Sequence, residues 1–170
     1  MPEYAHTMSR YNRWMNEKLY AVCAEVSDER RKEDRGAPFR SIHGTLNHLL
    51  LADRMWLHRF VGTRFPVAVA TLAHELYSDF DELRRERALT DQQIEDWASK
   101  LSEHDFAKQL SYVPATSPEE RTLPLALCIV HFFNHQTHHR GQLTTLLEQY
   151  GSDFGVTDLA WMPDAELKAV

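Results

Sequence analysis

Two of the ten histidines among the 170 residues, His135 and His139, stand four residues apart in a segment with helical periodicity. Residues four apart on an α-helix lie on one face, with their Cβ atoms roughly 5–6 Å apart. Two imidazoles in this arrangement can bind one metal ion at about 2.0–2.1 Å from each ring nitrogen. The spacing therefore indicates a two-histidine chelate, and its alternative is two ordinary polar residues on a helix.

A competing pair in the same helix is His131 with His135, which has identical spacing. The apolar stripe of the helix favours the first pair, because His139 falls within the stripe and His135 lies at its edge. We therefore expect the side chains of His131 and His138 to lie further around the helix from the apolar stripe, as structural residues or as contacts for a substrate. The stripe consists of Leu125, Ile129, Phe132, Leu143, Leu146 and Leu147.

A third ligand has to come from another helix, because one helical face cannot surround an ion. His48 lies at the edge of an apolar stripe formed by Leu46, Leu49, Trp56 and Phe60, and in a bundle that edge can face the helix that carries His135 and His139. Only neutral imidazole binds metal, so binding through these three residues is expected to fade as the pH falls towards about 6.5 and below.

Asp53 lies near the middle of the apolar face of its helix, well away from His48 in helical angle. A buried carboxylate is costly unless it is paired and hydrogen-bonded. The position favours a structural anchor between helices over a catalytic role, and it argues against a ligand of the same ion. We expect Asp53 to be buried and to accept a hydrogen bond from the first or fourth helix, with Trp14, Asn12 and Arg140 as candidates.

Four long helices are needed to position these residues, and the apolar spacing of the sequence predicts them. They run from about Glu3 to Val26, Ile42 to Val61, Thr71 to Leu101 and Pro124 to Tyr150, with a break in the third near Leu89-Thr90-Asp91. Ser41 is the expected N-cap of the second helix, and Gly62 is expected to end it. The fold class predicted is an all-α four-helix bundle.

The segments that connect the helices are predicted to contain little regular secondary structure. Loops are expected at Ser27 to Arg40 and Thr63 to Ala70, and an extended excursion or loose hairpin at Ala107 to Arg121, before the last long helix. Asp153 to Val170 is expected to be a tail with at most one short helix. The length of the chain fits one domain over residues 1–170, large enough to have a core that does not depend on metal.

The composition excludes several classes of function. The formal net charge is −6, and the short basic runs alternate with acids, so a nucleic-acid interface is not expected. Met1 to Tyr20 is polar and no apolar run approaches the ~20 residues that span a bilayer, which indicates a cytoplasmic protein without membrane contact. Cys23 and Cys128 are far apart inside helical patterns, so we expect buried free thiols.

The chain also resembles the DinB family, the damage-inducible, YfiT-like helical bundles of bacteria. The residues that carry the resemblance are spread over most of the chain, and the most specific of them form the motif NHQTHHRGQ, Asn134 to Gln142. The others are Tyr11-Asn12-Arg13-Trp14 and Asn16 in the first helix and His48, Asp53 and Trp56 in the second. The tail after Asp153 matches poorly.

The resemblance implies a four-helix bundle, often a homodimer, in which one histidine of the second helix and two of the fourth hold a metal ion. Carried over by motif position, these ligands are His48, His135 and His139, the set that the helical patterns favour. Three imidazoles leave at least one position of the ion for water or substrate, as in catalytic zinc sites. All-nitrogen ligation suits zinc or nickel.

Related families include transferases and isomerases that use thiols such as bacillithiol or mycothiol, so the resemblance implies a thiol-dependent transferase with a small-molecule thiol as its partner. Two alternatives stay open: a metal-dependent hydrolase, and a metal-binding stress-response protein without turnover. An open polar pocket at the ion would favour an enzyme. Besides His131 and His138, the candidates for substrate contact are Arg140, Gln142 and Tyr11, and each is equally typical of bundle packing or of the surface.

Overall fold

Four long helices dominate the structure, a computed structural model that describes residues 1–69, 71–115 and 117–167. They are α1 (Pro2–Ala24), α3 (Ile42–Phe60), α4 (Phe80–Ala98) and α5 (Leu125–Glu148). Two short helices, α2 (Asp28–Lys32) and α6 (Asp164–Leu167), and two strands, β1 (Gln109–Tyr112) and β2 (Arg121–Pro124), accompany them. Single 3-10 turns lie at Asp105–Ala107 and Leu159–Trp161.

The long helices pack in the ring order α1, α4, α3, α5, and their apolar stripes meet in a common core. This arrangement is the predicted all-α bundle. The largest side chains of the core are almost fully shielded from solvent, and they come from all four long helices: Met15, Leu19, Ile42, Leu46, Leu50, Leu51, Leu83, Ile94, Phe132, Phe133, Ile129 and Leu143. Cys23 and Cys128 are buried free thiols, as predicted. No helix among the described residues is long and apolar enough to span a membrane.

Helix α3 begins and ends where its local sequence predicts. Ser41 has extended backbone angles, and its side chain accepts a hydrogen bond from the Gly44 amide at 3.0 Å, which is N-cap geometry. Gly62 follows the helix with φ +70°, a conformation that L side chains rarely adopt. Because α3 carries both His48 and Asp53, its start and rotation determine where these two side chains lie.

The third predicted helix was placed too early and divided where no break exists. Helix α4 starts only at Phe80, with Asp79 as its N-cap, and it continues through Leu89-Thr90-Asp91 to Ala98. The Thr90 hydroxyl donates to the Glu86 carbonyl at 2.8 Å, so it is satisfied within the helix and does not cap a restart.

The segment before α4 is not helical because its backbone binds the side chains of α3. The Asn47 side-chain oxygen accepts from the amides of Leu76 and Tyr77 at 2.9 and 3.0 Å. The Asn47 amide and the His43 ring nitrogen Nε2 both contact the Tyr77 carbonyl, at 3.0 and 2.9 Å. These contacts hold the segment against α3 as a series of turns and bends, which the helical periodicity of the sequence does not reveal.

The predicted hairpin is confirmed, and it extends slightly beyond its predicted end. Strands β1 and β2 are antiparallel, with Gln109 opposite Pro124 and Tyr112 opposite Arg121. Helix α5 starts directly after Pro124. The loop after α1 contains the short helix α2, which was not predicted. The tail holds α6 and one 3-10 turn, and residues 168–170 of the predicted tail lie outside the described residues.

A buried polar network crosses the middle of the bundle. Asp53 of α3 is 1% exposed, and its two oxygens accept from Arg87 of α4 at 2.7 Å and from Gln136 of α5 at 3.1 Å. Arg87 also lies 2.8 Å from Asp91, which accepts from Asn12 of α1. The network thus links all four long helices and places carboxylates beside guanidinium groups.

The prediction for Asp53 is therefore right about its burial and about a donor on α5, but its ion-pair partner was missed. Among the described residues, Arg87 of α4 is the charged donor, and none of the candidates Trp14, Asn12 and Arg140 donates to Asp53. Arg140 instead donates to the side-chain oxygen of Asn12, so it joins the same network by way of α1.

Loss of Arg87 should destabilise the bundle strongly. We expect Arg87→Leu to lower the free energy of unfolding by about 3–5 kcal/mol, because it leaves Asp53 and Asp91 buried without a compensating charge. Urea unfolding followed by circular dichroism measures the change. Arg84→Leu, on the exposed face of the same helix, is the matched control and should change the free energy by less than about 0.5 kcal/mol. Equal stability of the two variants would contradict the structural role of the network.

Candidate metal centre

Three imidazoles meet where α3 packs against α5. The Nε2 atom of His139 lies 3.2 Å from Nε2 of His48 and 3.1 Å from Nε2 of His135. A ligand atom of each of the three residues lies within 4.8 Å of the others, and this cluster is the group among the described residues that could hold a metal ion. The structure thus brings together the three histidines that the sequence singled out, from the two predicted helices.

Hydrogen bonds to Nδ1 of His48 and of His139 determine the tautomer of each ring. Nδ1 of His48 lies 2.8 Å from the Leu72 carbonyl, which only accepts, so this nitrogen carries the proton. Nδ1 of His139 lies 2.8 Å from the side-chain oxygen of Gln142 and donates in the same way. In the neutral rings, both Nε2 atoms therefore face the centre of the cluster without a proton, as metal-binding histidines do.

The donor set fits a divalent ion in both chemistry and spacing. Two nitrogens about 2.1 Å from an ion lie roughly 3.0 Å apart at a right angle and roughly 3.4 Å apart at the tetrahedral angle. The two separations that involve His139, 3.1 and 3.2 Å, fall between these values, and the ligand atoms of all three residues lie within 4.8 Å of one another. Lone pairs that face each other this closely repel, and a cation between them removes the repulsion. His48, His135 and His139 are thus suited to hold one ion.

Burial keeps the cluster in its neutral, metal-binding form. It lowers the pKa of His48 to about 4, against a smaller opposing effect of the Leu72 carbonyl. It lowers the pKa of His135 to about 3, and the neighbouring imidazoles lower it further in the same direction. Burial also lowers the pKa of His139, and the hydrogen bond with Gln142 opposes that shift. All three rings are neutral at physiological pH.

Phe39 forms one side of the cluster. Its ring stacks on His48 with centroids 3.6 Å apart and an interplanar angle of 11°, and it meets His139 edge-on at 5.4 Å. The backbone of Phe39 can approach α3 because residue 44 is glycine: a Cβ at that position would lie 2.1 Å from the Phe39 carbonyl oxygen. Gly44 therefore sets the close contact that positions an aromatic wall beside two of the histidines.

The other two histidines of α5 lie outside the cluster, as expected. His131 is exposed, and its ring centroid lies 5.1 Å from that of Trp56 and 5.8 Å from that of His135. His138 is also exposed, and its Nε2 lies 3.2 Å from the side-chain nitrogen of Gln142. Since His135 is only half-buried, the cluster lies near the surface, and the exposed His131 and His138 lie about one turn before and after His135 along α5.

Of the remaining candidates for substrate contact, Gln142 alone touches the cluster. Arg140 is buried, with its guanidinium 5.1 Å from the centre of the Tyr11 ring. The Tyr11 hydroxyl donates to the Thr157 carbonyl at 2.6 Å, so it ties the tail to α1. The structure places Arg140 and Tyr11 in contacts between elements of the protein. Asp53 belongs to the buried network and is not a member of the cluster.

Three neighbours of the cluster were missed in the sequence: Leu72, Phe39 and Gly44. The carbonyl of Leu72 carries no side-chain signal at all, and Phe39 lies in a loop where apolar residues have no period. Gly44 did leave a signal, because a glycine in the first turn of a helix is unfavourable unless another group approaches closely. That approach is the Phe39 backbone.

Comparison with known proteins agrees with the fold. The sequence profile described as "DinB family" matches residues 1–169. Protein DinB of Bacillus subtilis is 28% identical over 167 residues, which cover 93% of this chain and 92% of that protein. A crystal structure of a DinB-like protein from Bacillus cereus has the same fold, with a TM-score of 0.60 and 17% identity over 84% of this chain and 89% of the other. The chain belongs to the DinB family.

Proposed function

We propose that this protein binds one zinc or nickel ion through the Nε2 atoms of His48, His135 and His139 and uses it for thiol-dependent transfer to a small electrophile. The observation that carries the proposal is the convergence of three imidazoles, in which the inward nitrogens of His48 and His139 are fixed by hydrogen bonds on the far side of each ring. Three ligands leave at least one position of the ion for a molecule from solution.

The chemistry of the donor set supports a thiol as that molecule. Three neutral imidazoles leave the full positive charge of a divalent ion, which favours an anionic ligand. When bound, the ion would ionise a coordinated thiol at neutral pH and thus supply a nucleophile. Among the described residues, no carboxylate belongs to the cluster, so the acidic general base that a metal hydrolase often uses is missing from it.

The surrounding residues would hold and screen the reacting molecules. The Leu72 carbonyl and Gln142 keep the rings of His48 and His139 in place, which is the role of groups that orient metal ligands. Phe39 covers one face of the His48 ring with an apolar ring. The cluster is partly exposed at His135, and the neighbouring exposed imidazoles of His131 and His138 can donate hydrogen bonds to a polar electrophile.

Removal of single histidines should separate metal ligands from their neighbours. We expect His48→Ala and His139→Ala to lose the metal, since two imidazoles remain, while His131→Ala keeps it. Metal content per chain after identical purification measures the effect, and thermal unfolding checks that each variant folds. His131 is the matched control because it is an exposed histidine on the same helix. Loss of metal from His131→Ala with retention by His139→Ala would assign the other pair on α5.

The pH dependence of metal retention should reflect the buried rings. Protons and the ion compete for the same Nε2 atoms, and a lowered pKa means that protonation requires a lower pH. With a pKa of about 4 for His48 and about 3 for His135, metal should be retained well below the pH of about 6.5 at which an ordinary histidine protonates. Equilibrium dialysis between pH 7.5 and pH 3.5 measures the midpoint. Release centred at the ordinary histidine pKa would contradict the effect of burial.

Thiol binding and transfer can be tested on one preparation. In protein reconstituted with Co²⁺, addition of bacillithiol should produce a sulfur-to-metal charge-transfer absorption in the near ultraviolet. With the native metal, the same thiol should displace chloride from a chloronitroaromatic electrophile, forming a carbon–sulfur bond. His139→Ala should show neither signal, whereas His131→Ala should keep the charge-transfer absorption because it keeps the three ligands of the ion. Ester hydrolysis that needs no thiol would favour the hydrolase, and metal binding with neither activity would favour the protein without turnover.

A further inference from the structure

A second concave site lies between α3, α4 and the connection that joins them. It is a cavity of about 730 Å³, within the usual size range of small-molecule sites. Its apolar lining comes from both helices and from the connection, and it includes Leu57, Val61, Phe65, Leu76 and Trp97. None of the three clustered histidines lines it.

The cavity lies on the other side of α3 from the metal cluster. Leu57 follows His48 by nine residues, which is about two and a half helical turns, so the two side chains point in opposite directions from the helix. Occupation of the cavity therefore does not require the metal centre, and the two sites can be tested separately.

The wall formed by the connection is fixed by buried groups. Asn47, only 1% exposed, binds the backbone of Leu76 and Tyr77 through three hydrogen bonds of 2.9–3.0 Å. The Tyr77 hydroxyl accepts from Arg54 at 2.9 Å, and Arg54 is further held by Glu86 and Thr90. Trp97 stacks on Phe60 with centroids 4.6 Å apart. The cavity is thus preformed, as ligand sites usually are.

The polar groups of the lining favour a ligand with an acceptor or anionic end. Lys100 lines the cavity and has no ion-pair partner within the described parts of the chain, and the imidazoles of His58 and His74 add further donors. The opposing charge is Asp96, which already accepts from Gln92 at 2.9 Å. The donors of Arg54 are used within the protein, so Lys100 is the cation available to a ligand.

We propose that this cavity binds a small amphipathic acid, with its acyl or aromatic body against the apolar lining and its carboxylate at Lys100. The apolar area supplies the affinity, and the single ammonium group selects the charged end. The assignment is independent of the metal chemistry proposed above.

Calorimetric titration with decanoate tests the location of the site. Gln93 is an exposed residue of α4 that lines the cavity, and Leu89 is an exposed residue of the same helix outside the lining. We expect Gln93→Trp to fill the cavity and weaken decanoate binding about tenfold or more, while Leu89→Trp binds like the unchanged protein. His139→Ala should also bind normally, because it disrupts only the metal cluster.

Two results would overturn the location: equal affinity of Gln93→Trp and Leu89→Trp, or loss of decanoate binding in His139→Ala, which would mean that the carboxylate binds the metal instead. Circular dichroism establishes that the variants are folded. Failure of metal binding in the histidine variants leaves this test unaffected.

The variant Lys100→Gln tests whether the carboxylate of the ligand binds at Lys100. This variant should bind decanoate about threefold more weakly, the size expected for an exposed ion pair, and should bind decanol as the unchanged protein does. Equal affinity of both forms for decanoate would overturn the assignment of the carboxylate to Lys100.

Discussion

The buried ion pair of Asp53 with Arg87 is the constraint on which the position of the three clustered histidines depends. Gln136, which donates to Asp53, directly follows His135 in sequence, and Arg140, which donates to Asn12, directly follows His139. Two anchors one turn apart thus lie beside two histidines one turn apart. Because neighbouring residues on a helix differ by about 100° in direction, the fixation of Gln136 and Arg140 inside the bundle also fixes the rotation of α5 and directs the histidines toward α3.

Much of the bundle could be predicted because helix positions and helix ends depend on residues that are close together in sequence. The apolar period gave four long helices, and Ser41 and Gly62 indicated where α3 begins and ends, since caps depend on a few consecutive residues. Helix α4 was less predictable because Thr90 and Asp91 are residues that favour caps and turns. Their side chains instead bind within the helix and across to α1. Arg87 also could not be recognised, because a run of charged residues looks the same in sequence whether a member is solvated or buried.

In the candidate site, the residues on helices could be predicted from the sequence, whereas those in loops could not. The helical patterns favoured His48, His135 and His139 over the pair His131 and His135, and the resemblance to the DinB family implied the same three residues. Phe39 and Leu72 reach the cluster from the connections on either side of α3, and their positions depend on tertiary contacts such as that of Phe39 with Gly44. Loop conformation has no period, and such groups can be assigned only once the structure is known.

The helices that carry the rings are held together by the apolar core and the buried network, which contain none of the three histidines. This differs from small zinc domains, in which metal binding supplies the folding free energy. Because the ligands are already ordered, less conformational entropy is lost when an ion binds. Burial also keeps the rings neutral, which is the form that binds metal. The segment before α4 adds a second constraint, because it holds His48 through the Leu72 carbonyl and forms a wall of the large cavity through Leu76. A change in the path of this segment would therefore affect both sites.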